Sequence, residues 1–250
     1  MTIQAIIVKI GGKILENVEN LQSTIAQLRE LLKKNIVQKI LIIPGGGSLA
    51  NHIRKIDSTL NIGDDLSHWM AILAMDYNGV ELSKKFSDID YIIDFNLLQD
   101  LIIEKEKRQI LIFGPFNYLY KEDILPHSWE VTSDSITLLL ANKLKLNTCY
   151  LIKNFGNYDG IILKDEPFPI TEISTKDYKN LMKTNKLAKI ENFDSDLKES
   201  QPIDSYILNL INEYRIDCVI LNGSKEKLNI LHYFDSKEKY EKKYTKIRYD

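Results

Sequence analysis

Two short apolar runs, AIIVKI (5–10) and KILIIP (39–44), each end at glycines: Gly11-Gly12 after the first and Gly45-Gly46-Gly47 after the second. Between them Leu21, Ile25, Leu28, Leu31 and Leu32 recur at helical spacing with polar residues interposed, which predicts an amphipathic helix over about 18–35. Strand, glycines, helix, strand, glycines, helix admits few folds, because parallel strands need a crossover and a helix supplies it. The expectation is an α/β chain with a parallel sheet. Further helices are predicted over about 48–56, 65–86 and 134–144, with a loop through Pro126 before the last of them. Strands are predicted at IDYIID (89–94), QILIFG (109–114), TCYLIK (148–153) and IDCVIL (216–221), the final one closing the core. No composition shift marks a linker, and no repeat is present, so residues 1–250 read as one domain.

Charge excludes two function classes. Lys and Arg (33) nearly cancel Asp and Glu (35), so no global field recruits nucleic acid or an anionic membrane, and any anion must be bound locally. No apolar stretch approaches the roughly 18 residues of a membrane span, and the opening residues carry no basic leader. Cys149 and Cys218 sit in apolar runs (TCYLI, DCVIL), which predicts buried free thiols and a reducing, cytoplasmic setting. Lys-rich segments at 176–189 and 236–248 interleave Asp and Glu and read as solvated faces.

The chemistry concentrates at the strand ends. In a parallel sheet ligands bind beyond the carboxyl ends of the strands, where glycines let backbone N–H groups approach an anion. Two such turns side by side can hold two phosphates, or a phosphate and an acceptor. Lys9 lies on an otherwise apolar strand immediately before the first turn, so its ammonium needs a negative partner. That partner is either a carboxylate such as Asp134 or a phosphoryl group in transfer. Thr132, Ser133, Asp134 and Ser135 crowd one helix start, where capping needs a single residue. The remainder suit orientation of a nucleotide or of the lysine. His68, Trp69 and Met75 read as packing or dimer-contact residues of an apolar helix, whereas His127 and Trp129 are candidates for an acceptor pocket. Neither GxxxxGK[ST] nor a protein-kinase loop set occurs, and GGGSLA matches GxGxxG only loosely.

The VKIGGK start, IIPGGGSLANHIRKID, SHWMAILAMD, PHSWEVTSDS, YDG at 158–160 and VILNG at 219–223 resemble, in order and over nearly the whole chain, the amino acid kinase superfamily. The PGGG-xxA-N and HSW-xxTSDS blocks and the terminal YTKI resemble its archaeal-type aminomethylfuran phosphate kinases of methanofuran biosynthesis. The resemblance implies a three-layer α/β/α fold with a mainly parallel central sheet, the acceptor over 1–145 and ATP over 146–250. It implies that Lys9 stabilises the transferred phosphoryl group and that Asp134 holds the lysine. Gly11, Gly12, Gly45, Gly46 and Gly47, with Asn51, Thr132 and Ser133, would bind phosphates and acceptor. Lys153, Tyr158, Asp159 and Gly160 would bind the nucleotide, while Asn222 and Gly223 fall in a late motif without an assigned role. Mg2+ would arrive with ATP, held by phosphates and water, so no metal ligands are assigned to the protein.

This sequence departs from the family pattern at several points. Lys13 stands where Ser usually follows the first turn, and LIKNFGNYDGI replaces the usual TDVDG loop. Pro44 before the glycines, and the place of His52, argue against isopentenyl phosphate as acceptor. Lys153 stands in for a late basic residue that otherwise has no match. The expected activity is ATP-dependent phosphoryl transfer to a small phosphomonoester, giving a diphosphate, by a homo-oligomer that engages neither nucleic acid nor membrane. The alternatives are a uridylate or other small-molecule kinase of the same fold, and a non-catalytic nucleotide-binding storage or regulatory protein.

Overall fold

The structure is a computed structural model and describes residues 2–164, 166, 168–188, 201–235 and 243–250. The first half runs β1 (Ile3–Ile10), α1 (Gly12–Leu15), α2 (Val18–Lys33), β2 (Val37–Pro44), α3 (Gly47–Leu60), α4 (Asp64–Lys85), β3 (Asp90–Ile92), α5 (Phe95–Ile103), β4 (Gln109–Phe113), α6 (Phe116–Glu122) and α7 (Ser133–Lys143). The second runs β5 (Thr148–Lys153), β6 (Glu172–Ser174), α8 (Thr175–Lys183), α9 (Ile207–Tyr214), β7 (Asp217–Asn222), α10 (Asn229–Asp235) and β8 (Thr245–Arg248).

The strands form one sheet in the order β3-β4-β2-β1-β5-β7-β8-β6. Every pairing is parallel except β7 with β8. After β1 the chain builds outward through β2, then returns to β5 on the opposite side. The carboxyl end of β1 is therefore a topological switch point, where open α/β sheets bind ligands.

Alternation along β1 explains how a lysine comes to face the site. Ile6, Val8 and Ile10 pack with Ile40, Ile42 and the apolar face of α2 into one core. Ile7 packs on the other face with Leu41, Ile43 and the α7 and α9 side chains. Successive strand residues point to opposite faces, so Lys9 shares the Ile7 face and meets α7. Helix α2 starts where the Asn17 side chain accepts the Asn20 N–H, and it buries Leu21, Ile25, Leu28 and Leu31 as its spacing predicts.

Some expected boundaries shift. The run at 216–221 forms β7 one residue later and does not close the core, because β8 adds antiparallel to it and carries β6 beyond. The loop expected before Pro126 contains α6. The Lys-rich segment at 176–189 is mostly α8, with residue 189 outside the described residues; of 236–248, residues 236–242 also lie outside, and the rest leads into β8. Cys149 and Cys218 are register partners on β5 and β7, both free and buried as expected.

Candidate active site

A cavity of about 1040 Å³ opens at the switch point, lined by the ends of β1, β2 and β5, the start of α7, one face of α3 and residues 201–205. Such a volume lies at the upper end of small-molecule sites and leaves room for two ligands to meet. At its wall the Lys9 Nζ lies 2.9 Å from Asp134 Oδ1, and the Lys153 Nζ donates to Asp134 Oδ2 at 2.5 Å and to the Pro202 carbonyl at 2.6 Å. All three side chains are nearly buried. Burial works against the Asp134 carboxylate, but the ammonium groups of Lys153 and Lys9 more than offset it, so its pKa is held well below the ordinary carboxylate range. Burial also pulls the Lys9 ammonium below the usual lysine value, against the opposing pull of Asp134. Two ammonium groups share one carboxylate, leaving one positive charge unmatched within the trio. The Asp204 carboxylate also pulls on Lys9, and both ammonium groups line the cavity, where an anion would meet them.

Asp134 is held in place from outside its own helix. The Asp204 carboxylate accepts from the Thr132 N–H and hydroxyl (2.9 and 2.7 Å), from the Ser135 N–H and hydroxyl (3.0 and 2.5 Å) and from the Ile207 N–H (2.9 Å). It caps α7 and opens α9 at once, so its charge is spent on helix amide ends and hydroxyls. The polar crowd at the helix start thus divides its work. Thr132 and Ser135 bind Asp204, Ser133 lines the cavity wall, and Asp134 takes the lysines.

The two glycine turns touch. A Cβ on Gly12 would overlap the Gly47 Cα, and one on Gly45 would crowd the Ile10 carbonyl and the Lys9 side chain. Gly46 is right-handed and Gly47 has φ +58°, the alternation that points successive N–H groups into an anion-binding concavity. Not every amide is available. The Gly11 N–H donates to Ile152 O and the Gly45 N–H to Ile10 O, whereas those of Gly12, Gly46 and Gly47 have no protein acceptor among the described residues. Asn78 on α4 fixes the turn by donating to the Gly45 carbonyl at 2.7 Å, and the Glu16 carboxylate accepts the Ser48 N–H beside the concavity. Gly12→Ala is expected to cost about 1–3 kcal/mol of stability as the turns are forced apart. Urea denaturation measures this, and a variant as stable as the parent would mean that the turns do not meet.

The remaining predicted residues divide. Asn51 lines the cavity, as does Lys153. Tyr158, Asp159 and Gly160 do not: Asp159 is engaged by Lys227, Lys243 and Asn229 at 3.1–3.2 Å, Gly160 packs on Thr245, and the Asn222 side chain donates to the Tyr158 carbonyl at 2.6 Å. Trp129 reaches the wall. His127 stands behind it, bonded to Asp65 and Asp123 and stacked on His68. His68 and Met75 are wall residues too, beyond the packing role expected for them.

Sequence reasoning missed Glu16, Arg54, Asn78 and Asp204 at or beside the site. For Arg54 a signal existed: Gly47, Ala50, Arg54 and Ser58 follow helical spacing and line the cavity along one face of α3. Asp204 gave none, since its partners lie about 70 residues upstream in sequence.

These features meet a known family. The sequence model of the amino acid kinase family matches residues 4–222. A [5-(aminomethyl)furan-3-yl]methyl phosphate kinase of Methanocaldococcus jannaschii is 34% identical over 217 residues, 87% of each chain. A uridylate kinase of Sulfurisphaera tokodaii is 25% identical over 239 residues, 91% of this chain and 94% of that one. Among solved structures, UMP kinase from Ureaplasma parvum superposes with a TM-score of 0.64 at 21% identity, covering 98% of this chain and 99% of that chain, which is a likeness of fold. With the match spanning most of its length, this chain belongs to the amino acid kinase family and is an ATP-dependent phosphotransferase of that family.

Proposed function

We propose that the chain transfers the γ-phosphoryl group of ATP to the phosphate of a small phosphomonoester, giving a diphosphate and ADP. The observation that carries this reading is the buried, net-positive Lys9–Asp134–Lys153 trio at the wall of a cavity where two glycine turns touch. An acceptor phosphate oxygen forms the new bond to the γ-phosphorus as the bond to the β,γ-bridging oxygen breaks and ADP leaves. There is little covalent work for the protein to do, so the site acts by position and charge. Lys9 faces the transferred group, Asp134 holds both lysines in register, and the free amides of Gly12, Gly46 and Gly47 receive phosphate oxygens. Asn51 and Ser133 extend the acceptor wall, and Thr132 keeps the start of α7 in place. Lys153 serves the nucleotide side, and Tyr158, Asp159 and Gly160, which lie outside the lining of this cavity, form the loop that binds the nucleotide.

The donor set fits a metal carried by the nucleotide. Both Asp134 oxygens are taken by lysines and Asp204 is spent on α7 and α9, so Mg2+ would be held by phosphates and water. When bound, it supplies further neutralisation of phosphate charge.

The acceptor favoured by the 34% relative is an aminomethylfuran phosphate, as the name of that kinase states. The acceptor side falls to residues 1–145 and the ATP side to 146–250. A homo-oligomer is part of this reading, with the exposed Leu66, Leu73 and Tyr77 of α4 as its apolar stripe. Sedimentation at a mass of 29.0 kDa under assay conditions would remove it. Among the described residues no helix is long and apolar enough to cross a membrane.

A panel of acceptors assayed with ATP tests the substrate class. Furfuryl-type phosphates are expected to be turned over in preference to UMP and isopentenyl phosphate. A clear preference for UMP would make the chain a uridylate kinase, and ATP binding without turnover on any acceptor would leave a nucleotide-binding protein.

The displaced lysine pKa gives a pH signature. Lys9 acts as an ammonium, and burial lowers its folded pKa below the roughly 10.4 of a free lysine. As pH rises through that lowered value the proton is lost, so kcat should fall on an alkaline limb that begins below the range in which a free lysine titrates. Lys9→Arg stays protonated and should flatten the limb, at lower kcat. An identical limb in that variant would assign the titration elsewhere.

A further inference from the structure

Arg54 is a cation without a counter-ion. It stands on the third turn of α3 and lines the same cavity as Lys9. No carboxylate pairs with it among the described residues, and its Nε is buried without a hydrogen-bond partner. Its guanidinium carbon stands over the Trp129 ring, 4.5 Å from the ring centroid, and the indole is itself fixed where its N–H donates to Asp57 at 2.8 Å. A cation–π contact engages the charge and not the N–H donors, and the Nε–H has no acceptor among the described residues. A half-buried guanidinium desolvated on one side and unpaired on the other is costly unless an anion completes it. Every other buried cation described at this site has a carboxylate: Lys9 and Lys153 share Asp134.

We propose that Arg54, stacked on Trp129, is the residue that binds the acceptor's own phosphate and selects a phosphomonoester over the corresponding alcohol. The inference rests on the phosphotransferase reading above and names the group that sets its acceptor class. The lysine trio serves the phosphoryl group in transfer, while Arg54 serves the charge the acceptor already carries. Its planar fork suits two oxygens of one phosphate, which a lysine at the same place would meet only as a point charge. Asp57 acts through Trp129 and is a positioning residue.

The test is direct binding, free of turnover. Titration calorimetry of the full chain with benzyl phosphate, and separately with ATP, is compared for the parent, Arg54→Met and Arg54→Lys. Arg54→Met is expected to weaken benzyl phosphate about 10- to 100-fold, the scale of a charged hydrogen-bonded pair, with ATP affinity little changed. Arg54→Lys should recover part of the loss. Equal binding of benzyl phosphate by the parent and Arg54→Met would overturn the proposal, as would a parent that does not bind it. A matched loss of ATP affinity in Arg54→Met would reduce Arg54 to a packing role and overturn it too. The broader reading fails on different evidence: if no acceptor supports ATP turnover while Arg54 still governs benzyl phosphate binding, the transfer reaction falls and the anion site stands.

Discussion

Lys9→Ala should lower kcat a hundredfold or more while the chain remains folded, the scale seen when one preorganised electrostatic donor is removed from a reacting centre. The ammonium faces the cavity from the end of a strand whose neighbours are packed hydrocarbon, so its position is set by the sheet and owes nothing to a flexible loop. Removing it leaves Asp134 paired with Lys153 at 2.5 Å, so the carboxylate is not orphaned and the core is largely retained. KM for ATP should change far less than kcat, since the interaction is worth most as charge moves in the transition state. Steady-state kinetics decide the matter, and unchanged kcat would remove Lys9 from the reaction.

Asp134→Ala should be the most damaging single change to stability, at about 3–5 kcal/mol, because it leaves two buried ammonium groups facing each other without a counter-charge. The comparison with Lys9→Ala is instructive. One substitution removes the excess charge of the trio, and the other doubles it. Since the folded pKa of Asp134 is depressed, its ion pairs contribute fully above about pH 4 and are lost as pH falls through the folded value. Urea denaturation of both variants at neutral pH should rank Asp134→Ala well below Lys9→Ala. The reverse order would mean that the lysines do not depend on the shared carboxylate.

What could be read in advance follows from how local each signal is. Strands β1 and β2 are buried on both faces and closed by glycines, so a continuous apolar run announced them. The start of α7 declared itself through polar residues in excess of what capping needs. Of the two readings offered for Lys9, the internal pair with Asp134 is present in the fold, and its place at the cavity wall leaves the ammonium facing a ligand as the proposal made above. Strands β6 and β8 are three and four residues long, carry charged side chains, and find their partners only in the folded sheet. No run or period marks them. Asp204 was illegible for the same reason, being a helix cap supplied from a distant segment. Arg54 was legible in principle: a lone cation on the cavity face of a helix that begins at a glycine nest. The YDG motif was legible as a motif, but its surroundings were not: Asp159 pairs with Lys227 and Lys243, and the Tyr158 carbonyl accepts from Asn222, all from segments about 65 to 85 residues away in sequence.

Phosphorus NMR of the purified chain with ATP, Mg2+ and [5-(aminomethyl)furan-3-yl]methyl phosphate follows every phosphorus atom at once and tests the transfer itself. Paired new diphosphate signals are expected to grow as the monoester and the γ-phosphate of ATP disappear in equal amounts, with ADP as the only other product. Inorganic phosphate in place of the diphosphate signals, or an intact monoester beside unconsumed ATP, would contradict it.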